Sequence, residues 1–168
     1  YSDFYHYVST LHGERALLCL ERVNCRLKKE LARDVEIINK SNPTTLMKAV
    51  KNPVEMENLR KSHLKDGIAV TRFMYWLKKN VGKIPMTEIS AAQELESFRR
   101  QQEGFIEPSF ETICAFGANG AIVHYSATPQ EYARIEPHGL LVVDSGGHYP
   151  EGSTDITRTF ALGDLTGD

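Results

Sequence analysis

Cysteine is scarce in this chain, with three in 168 residues: Cys19, Cys25 and Cys114. The number is odd and no pair has C-x-x-C spacing, so neither a disulfide framework nor a zinc ribbon is indicated. The three read as structural thiols of a reducing compartment, and the expected location is cytoplasmic. Long apolar runs are also missing. The longest purely aliphatic stretch is Leu140-Leu141-Val142-Val143, far short of the roughly 18 residues of a membrane-spanning helix. Neither charge is in excess: 20 Lys and Arg stand against 22 Asp and Glu, for a net charge of −2. That balance argues against a dedicated nucleic-acid binder, whose footprint is basic. There is no internal repeat and no low-complexity tract. Residue 1 is Tyr rather than Met, and no charged-then-apolar leader follows it. The other end stops at Gly167-Asp168, just after a strand-like run. The expectation is a fragment of a longer protein.

What the chain does contain is ordinary for a globular domain: 41% hydrophobic, 25% charged and 9% aromatic residues. Global disorder is excluded. Phe4, Tyr7, Val8 and Leu11 recur at helical spacing and predict a helix over 3–12, ended by Gly13. Ala16–Leu20 reads as a strand, Cys25–Ala32 as a helix and Val35–Ile38 as a strand. Ser41-Asn42-Pro43 marks a boundary. A long helix then starts at Pro53, a residue suited to the first helical position, with Asn52 as cap. Met56, Leu59, His63, Gly67, Val70, Met74 and Leu77 supply its expected buried stripe to about Lys79. Thr87 caps a further helix, with Ile89, Ala92, Leu95 and Phe98 inward.

Beyond Gly104 the period changes to two. Residues 110–116 read as a strand, 117–120 as a tight turn and Ala121–Tyr125 as the partner strand. Leu140–Asp144 is a buried strand, Ser145–Ser153 a glycine-rich loop or hairpin end, and Thr154–Leu162 alternates again. Helices followed by consecutive strands with short turns predict an α+β fold with a mostly antiparallel sheet.

Two aspartates stand where aspartate is disfavoured. Asp144 closes Leu-Leu-Val-Val-Asp, and a carboxylate at a buried strand end is costly unless paired or bound to a metal. Asp155 lies in Thr-Asp-Ile-Thr-Arg-Thr, where alternation puts Asp155, Thr157 and Thr159 on one polar face. If the residues between them connect neighbouring strands, the two carboxylates converge. Such oxygen ligands, with nitrogen, suit Mn²⁺, Zn²⁺ or Co²⁺. The plainer alternative has Asp144 opening a turn and Asp155 pairing with Arg158 or a lysine. His124, flanked by Val123 and Tyr125, reads as a strand residue, either hydrogen-bonded or catalytic. Cys114 reads as core.

Val-Asp-Ser-Gly-Gly at 143–147 and Thr-Asp-Ile-Thr-Arg-Thr at 154–159 resemble the pita-bread metallopeptidases. Gly117-Ala-Asn-Gly-Ala-Ile-Val-His-Tyr125 and Lys51-Asn-Pro-Val-Glu55 narrow the resemblance to the aminopeptidase P (Xaa-Pro aminopeptidase) group of the longer cytosolic type. The resemblance implies that residues 43–168 are the first part of a pita-bread (creatinase/aminopeptidase-type) catalytic domain. Residues 1–42 would then be the end of a creatinase-type N-terminal domain. It implies two divalent metal ions, commonly Mn²⁺, with Asp144 chelating one and Asp155 bridging both. His124 would hydrogen-bond substrate or intermediate without being a ligand, and Thr157 would support the ligands from behind. Peptides with proline at the second position would be the substrates, with no nucleic acid or membrane as partner. A homodimer of the parent stays open. The pattern also requires a histidine and two glutamates downstream, which this chain lacks, so the chain alone is expected to be inactive.

Two other readings compete. One is a prolidase, which splits Xaa-Pro dipeptides in the same fold. The other is a non-enzymatic pita-bread binding module that has lost its ligands. Asp144, Asp155 and His124 argue against the module, which has no need of two buried carboxylates, and against metal-free creatinase.

Overall fold

A computed structural model describes residues 2–164. The chain divides into two compact units after Asn52.

The first unit contains α1 (Ser2–Ser9), β1 (Arg15–Leu18), α2 (Cys25–Glu30), β2 (Glu36–Asn39) and α3 (Pro43–Ala49). The two strands pair in parallel, with Arg15 opposite Glu36. Asn24 caps α2, its side chain accepting from the Leu27 N–H at 2.9 Å. Asn42 caps α3 in the same way, with Pro43 in the first turn. Among the described residues of this unit, Val8 and Val35 are the buried ones. The helix expected over 3–12 ends at Ser9, where the Ser9 and Thr10 hydroxyls bond back to the carbonyls of His6 and Tyr7.

The second unit starts with α4 (Pro53–Asn80) and α5 (Glu88–Arg100). Thr87 caps α5 in a reciprocal capping box with Ser90, closing two N–H groups that the helix leaves free. Six strands follow: β3 (Glu107–Pro108), β4 (Ile113–Phe116), β5 (Leu140–Ser145), β6 (Gly147–Tyr149), β7 (Gly152–Ser153) and β8 (Ile156–Ala161). They form two antiparallel three-stranded sheets, ordered β4-β5-β8 and β3-β6-β7. Phe73 and Leu77 of α4 and Leu95 of α5 pack against Leu141, Val143 and Phe160 of the larger sheet. Phe73, Leu77, Leu95 and Leu141 are completely buried, a burial worth about 1.5–3 kcal/mol for each side chain.

Two expectations fail here. The buried stripe of α4 is Ser62, Asp66, Ala69, Phe73 and Leu77, which shares only Leu77 with the one read from its apolar residues. His63 and Met74 face solvent. The helix is turned so that a charged side chain lies inside. Residues 121–125 do not form a strand either. Gly117–Ala121 is a short 3-10 helix, and a turn follows it. The Asn119 amide and the Tyr125 hydroxyl are drawn inward to Glu88, which pulls this segment off the sheet.

Candidate metal centre

β5 and β8 are direct neighbours, and their register places Asp144 opposite Thr157. On its other side Asp144 faces Ile113 of β4. Opposed residues share a face, so Asp144 and Thr157 point to one side, while Leu141 and Phe160 point to the other, into the core. Asp155 stands just before β8, two residues from Thr157, and the alternation carries it to the Asp144 face. Diagonal neighbours across an antiparallel pair lie about 7–8 Å apart, so the two carboxylates can reach a common point.

Their environments differ. Asp155 is exposed and, among the described residues, has no ion-pair partner. Arg158 is not its partner: the guanidinium donates to the Thr157 carbonyl at 2.7 Å. Asp144 is half-buried, and its Oδ1 is buried with no hydrogen-bond partner. A buried carboxylate oxygen left alone is costly. A hard cation on that atom removes the cost, and carboxylate oxygens are the donors such cations prefer. The pair is a partial set: among the described residues, no group of three or more His, Cys, Asp and Glu is arranged around one ion.

The link between the aspartates is tightly laced. Gly147 N–H donates to Thr154 Oγ1 at 2.9 Å, and Thr154 N–H donates to the Gly147 carbonyl at 2.9 Å. Ser109 Oγ donates to the Thr154 carbonyl at 2.9 Å, and Ser109 N–H donates to the Gly146 carbonyl at 3.1 Å. A Cβ on Gly146 would overlap the Thr154 carbonyl oxygen and Ser109 Oγ, so only glycine permits this approach.

His124 is elsewhere than expected. It sits exposed in a turn closed by Tyr125 N–H to the Ile122 carbonyl at 3.2 Å. Its φ of 55° is the one positive value among the described non-glycine residues. This conformation is uncommon for a non-glycine residue.

Beneath that turn lies Glu88, fully buried at the start of α5. Its Oε1 accepts from Phe116 N–H at 2.7 Å and Asn119 Nδ2 at 3.0 Å. Its Oε2 accepts from Ala133 N–H at 2.7 Å and from the Tyr125 hydroxyl at 2.8 Å. Among the described residues it has no cationic partner. The N-terminal helix dipole favours an anion there. Burial, together with the bond to Glu88, pushes the Tyr125 phenol up to about 12. Burial and the Glu88 charge push the Cys114 thiol up to about 12, which fits its reading as core.

Residues 57–167 match metallopeptidase family M24. The chain belongs to that family. This M24 chain is 44% identical over 119 residues to aminopeptidase P2 of Arabidopsis thaliana, covering 70% of the chain and 17% of that relative. It is 44% identical over 122 residues to Xaa-Pro aminopeptidase 2 of Sus scrofa, covering 73% and 18%. It superposes with a TM-score of 0.88 on the crystal structure of X-prolyl aminopeptidase from Caenorhabditis elegans, described as a cytosolic enzyme with a di-nuclear active site. That match has 27% identity and covers 99% of this chain and 28% of the other. The M24 chain thus spans less than a third of each of these three proteins, and its α+β, pita-bread fold is the one the sequence resemblance implied.

Sequence reasoning missed Glu88, Asp66 and Arg99. Each lies on a helix's buried face: Glu88, Ala91, Leu95 and Arg99 recur three or four apart, as do Ser62, Asp66, Ala69 and Phe73. The signal was there in spacing, but a stripe defined by apolar residues alone passes over charged members of the face.

Proposed function

We propose that this M24 chain supplies two carboxylate ligands to the dinuclear metal site of an Xaa-Pro aminopeptidase. The buried, partnerless Oδ1 of Asp144, on the face shared with Thr157 and Asp155, is the observation that carries the reading. Asp144 would hold one cation and Asp155 would bridge both, with Mn²⁺ the expected metal and Zn²⁺ or Co²⁺ as substitutes. Two bound cations lower the pKa of water and polarise a peptide carbonyl. The chain's own residues do the rest. Thr157, directly opposite Asp144, keeps the carboxylate face polar and supports ligand orientation. His124, presented to solvent by its turn, donates an imidazole N–H to the substrate carbonyl as negative charge develops there, a contribution of order 10²–10³ in rate.

A histidine and two glutamates are the further ligands that the resemblance implies for the complete site. Residues ahead of the catalytic unit are read as the end of a creatinase-type N-terminal domain. Substrates are peptides with proline second. No described helix is long and apolar enough to cross a membrane. A cytoplasmic location is supported by the cytosolic Caenorhabditis elegans relative.

The test uses the full-length protein and Mn²⁺. Asp155→Asn should abolish hydrolysis of an Xaa-Pro-Xaa tripeptide and lower the metal stoichiometry, with the circular dichroism spectrum unchanged. Near-normal turnover with two metals bound would sink the ligand role. Cleavage of Xaa-Pro dipeptides but not tripeptides would make the protein a prolidase. His124→Asn tolerates the positive φ, and should slow turnover with metal content retained; lost metal would make His124 a ligand.

A further inference from the structure

Asp66 of α4 and Arg99 of α5 form an ion pair with side-chain exposures of 0% and 1%. The contact is bidentate: Arg99 Nε donates to Asp66 Oδ1 at 2.6 Å and Nη2 donates to Oδ2 at 3.1 Å. Two further bonds tie this pair to the residues that flank the two aspartates. Arg99 Nη2 also donates to Ser145 Oγ at 3.0 Å. Thr154 Oγ1 donates to Asp66 Oδ2 at 2.8 Å. Tyr149 adds a hydroxyl bond to Asp66 Oδ1 at 3.2 Å.

The placement of those two bonds is the informative point. Ser145 directly follows Asp144, and Thr154 directly precedes Asp155. Alternation turns Ser145 to the face opposite Asp144, where it is buried. Thr154 is buried as well. The ion pair therefore lies behind the strands and grips the chain one residue from each carboxylate. Stability alone explains it poorly, since a buried ion pair loses desolvation energy that well-packed apolar residues would not. The pair is also neutral as a unit, so it acts on the opposite face through geometry rather than charge.

We infer that Asp66 and Arg99 are positioning residues that set the separation of Asp144 and Asp155, and so the affinity for the second divalent cation. This rests on the ligand reading given under Proposed function. Ligand-orienting partners of this kind change metal affinity by about 10–100-fold when removed.

The experiment measures Mn²⁺ affinity of the full-length protein by equilibrium dialysis, with thermal unfolding alongside. Ser145→Ala and Thr154→Val remove the two bonds nearest the carboxylates, the second also removing the acceptor of the Gly147 N–H, and leave the ion pair and its Tyr149 bond in place. Their combination should weaken the second Mn²⁺ site by 10–100-fold. A compensated Asp66→Leu/Arg99→Met variant should fold, since apolar replacement of a buried pair is commonly tolerated, yet show the same weakened site. A solely structural pair predicts the reverse: wild-type affinity, within twofold, in every variant that folds. That result would overturn the inference while Asp155→Asn still loses metal, leaving the ligand reading intact. If Asp155→Asn itself binds two Mn²⁺ as tightly as wild type, the ligand reading fails and this inference falls with it.

Discussion

Asp66 and Glu88 are both buried carboxylates of the helical layer, yet they are satisfied in opposite ways. Asp66 faces an arginine and then hydroxyls of Tyr149 and Thr154. Glu88 meets two backbone N–H groups, an amide and a phenol. The first arrangement binds two helices to the strand ends that carry Asp144 and Asp155. The second gathers the loop that presents His124. An ion pair is rigid but leaves a stranded charge if half of it is lost. A ring of neutral donors loses bonds one at a time. The carboxylate face is thus held by the less forgiving device, and the histidine turn by the more adaptable one.

Three measurements sharpen or break this contrast. The largest effect is expected for Asp66→Ala, which strands the Arg99 guanidinium and should cost about 3–5 kcal/mol of stability. Urea unfolding should then show Asp66→Leu/Arg99→Met recovering most of that loss. A compensated variant as unstable as the single one would mean that the hydrogen bonds to Tyr149 and Thr154, not the charge, dominate. Glu88→Gln comes next. Its amide turns an N–H₂ toward groups that are themselves donors, at a cost of about 2–3 kcal/mol. A loss greater than that of Asp66→Ala would reverse the ranking of the two devices.

The smallest effect is spectroscopic. Tyr125 is pushed up to about 12, and Tyr149 is raised well above its ordinary range by burial and by the charge and hydrogen bond of Asp66. Both folded values exceed the unfolded value of about 10. The resulting stabilisation is therefore complete below that pH and is lost as pH rises through the folded values. Ultraviolet titration of Glu88→Gln should bring the Tyr125 ionisation down while Tyr149 stays where it is. Movement of both would show that the two networks are coupled.

Much of the scaffold was legible in the sequence because its determinants are local. Pro53 opens α4, Thr87 caps α5, and the Leu140–Asp144 run is β5 with its acid near the end. The pairing of β5 with the strand that follows Asp155 was legible from alternation and a short connection. What was illegible depends on contacts distant in sequence. Residues 121–125 have a strand-like composition, but Tyr125 answers to Glu88, 37 positions away. The inward turn of α4 depends on Asp66 finding Arg99, 33 positions away. Apolar periodicity carries no record of a charge whose partner lies on another helix.

The bonds from Asp66 to Tyr149 and Thr154 close loops of 83 and 88 residues. Closing such loops is entropically expensive and is repaid only once both ends are structured. Contacts of this separation are expected late in folding, after the helices and the hairpins have formed. Interactions made that late chiefly slow unfolding rather than speed folding. If Asp66 and Arg99 set the spacing of Asp144 and Asp155, that spacing is fixed only as the last of these loops closes.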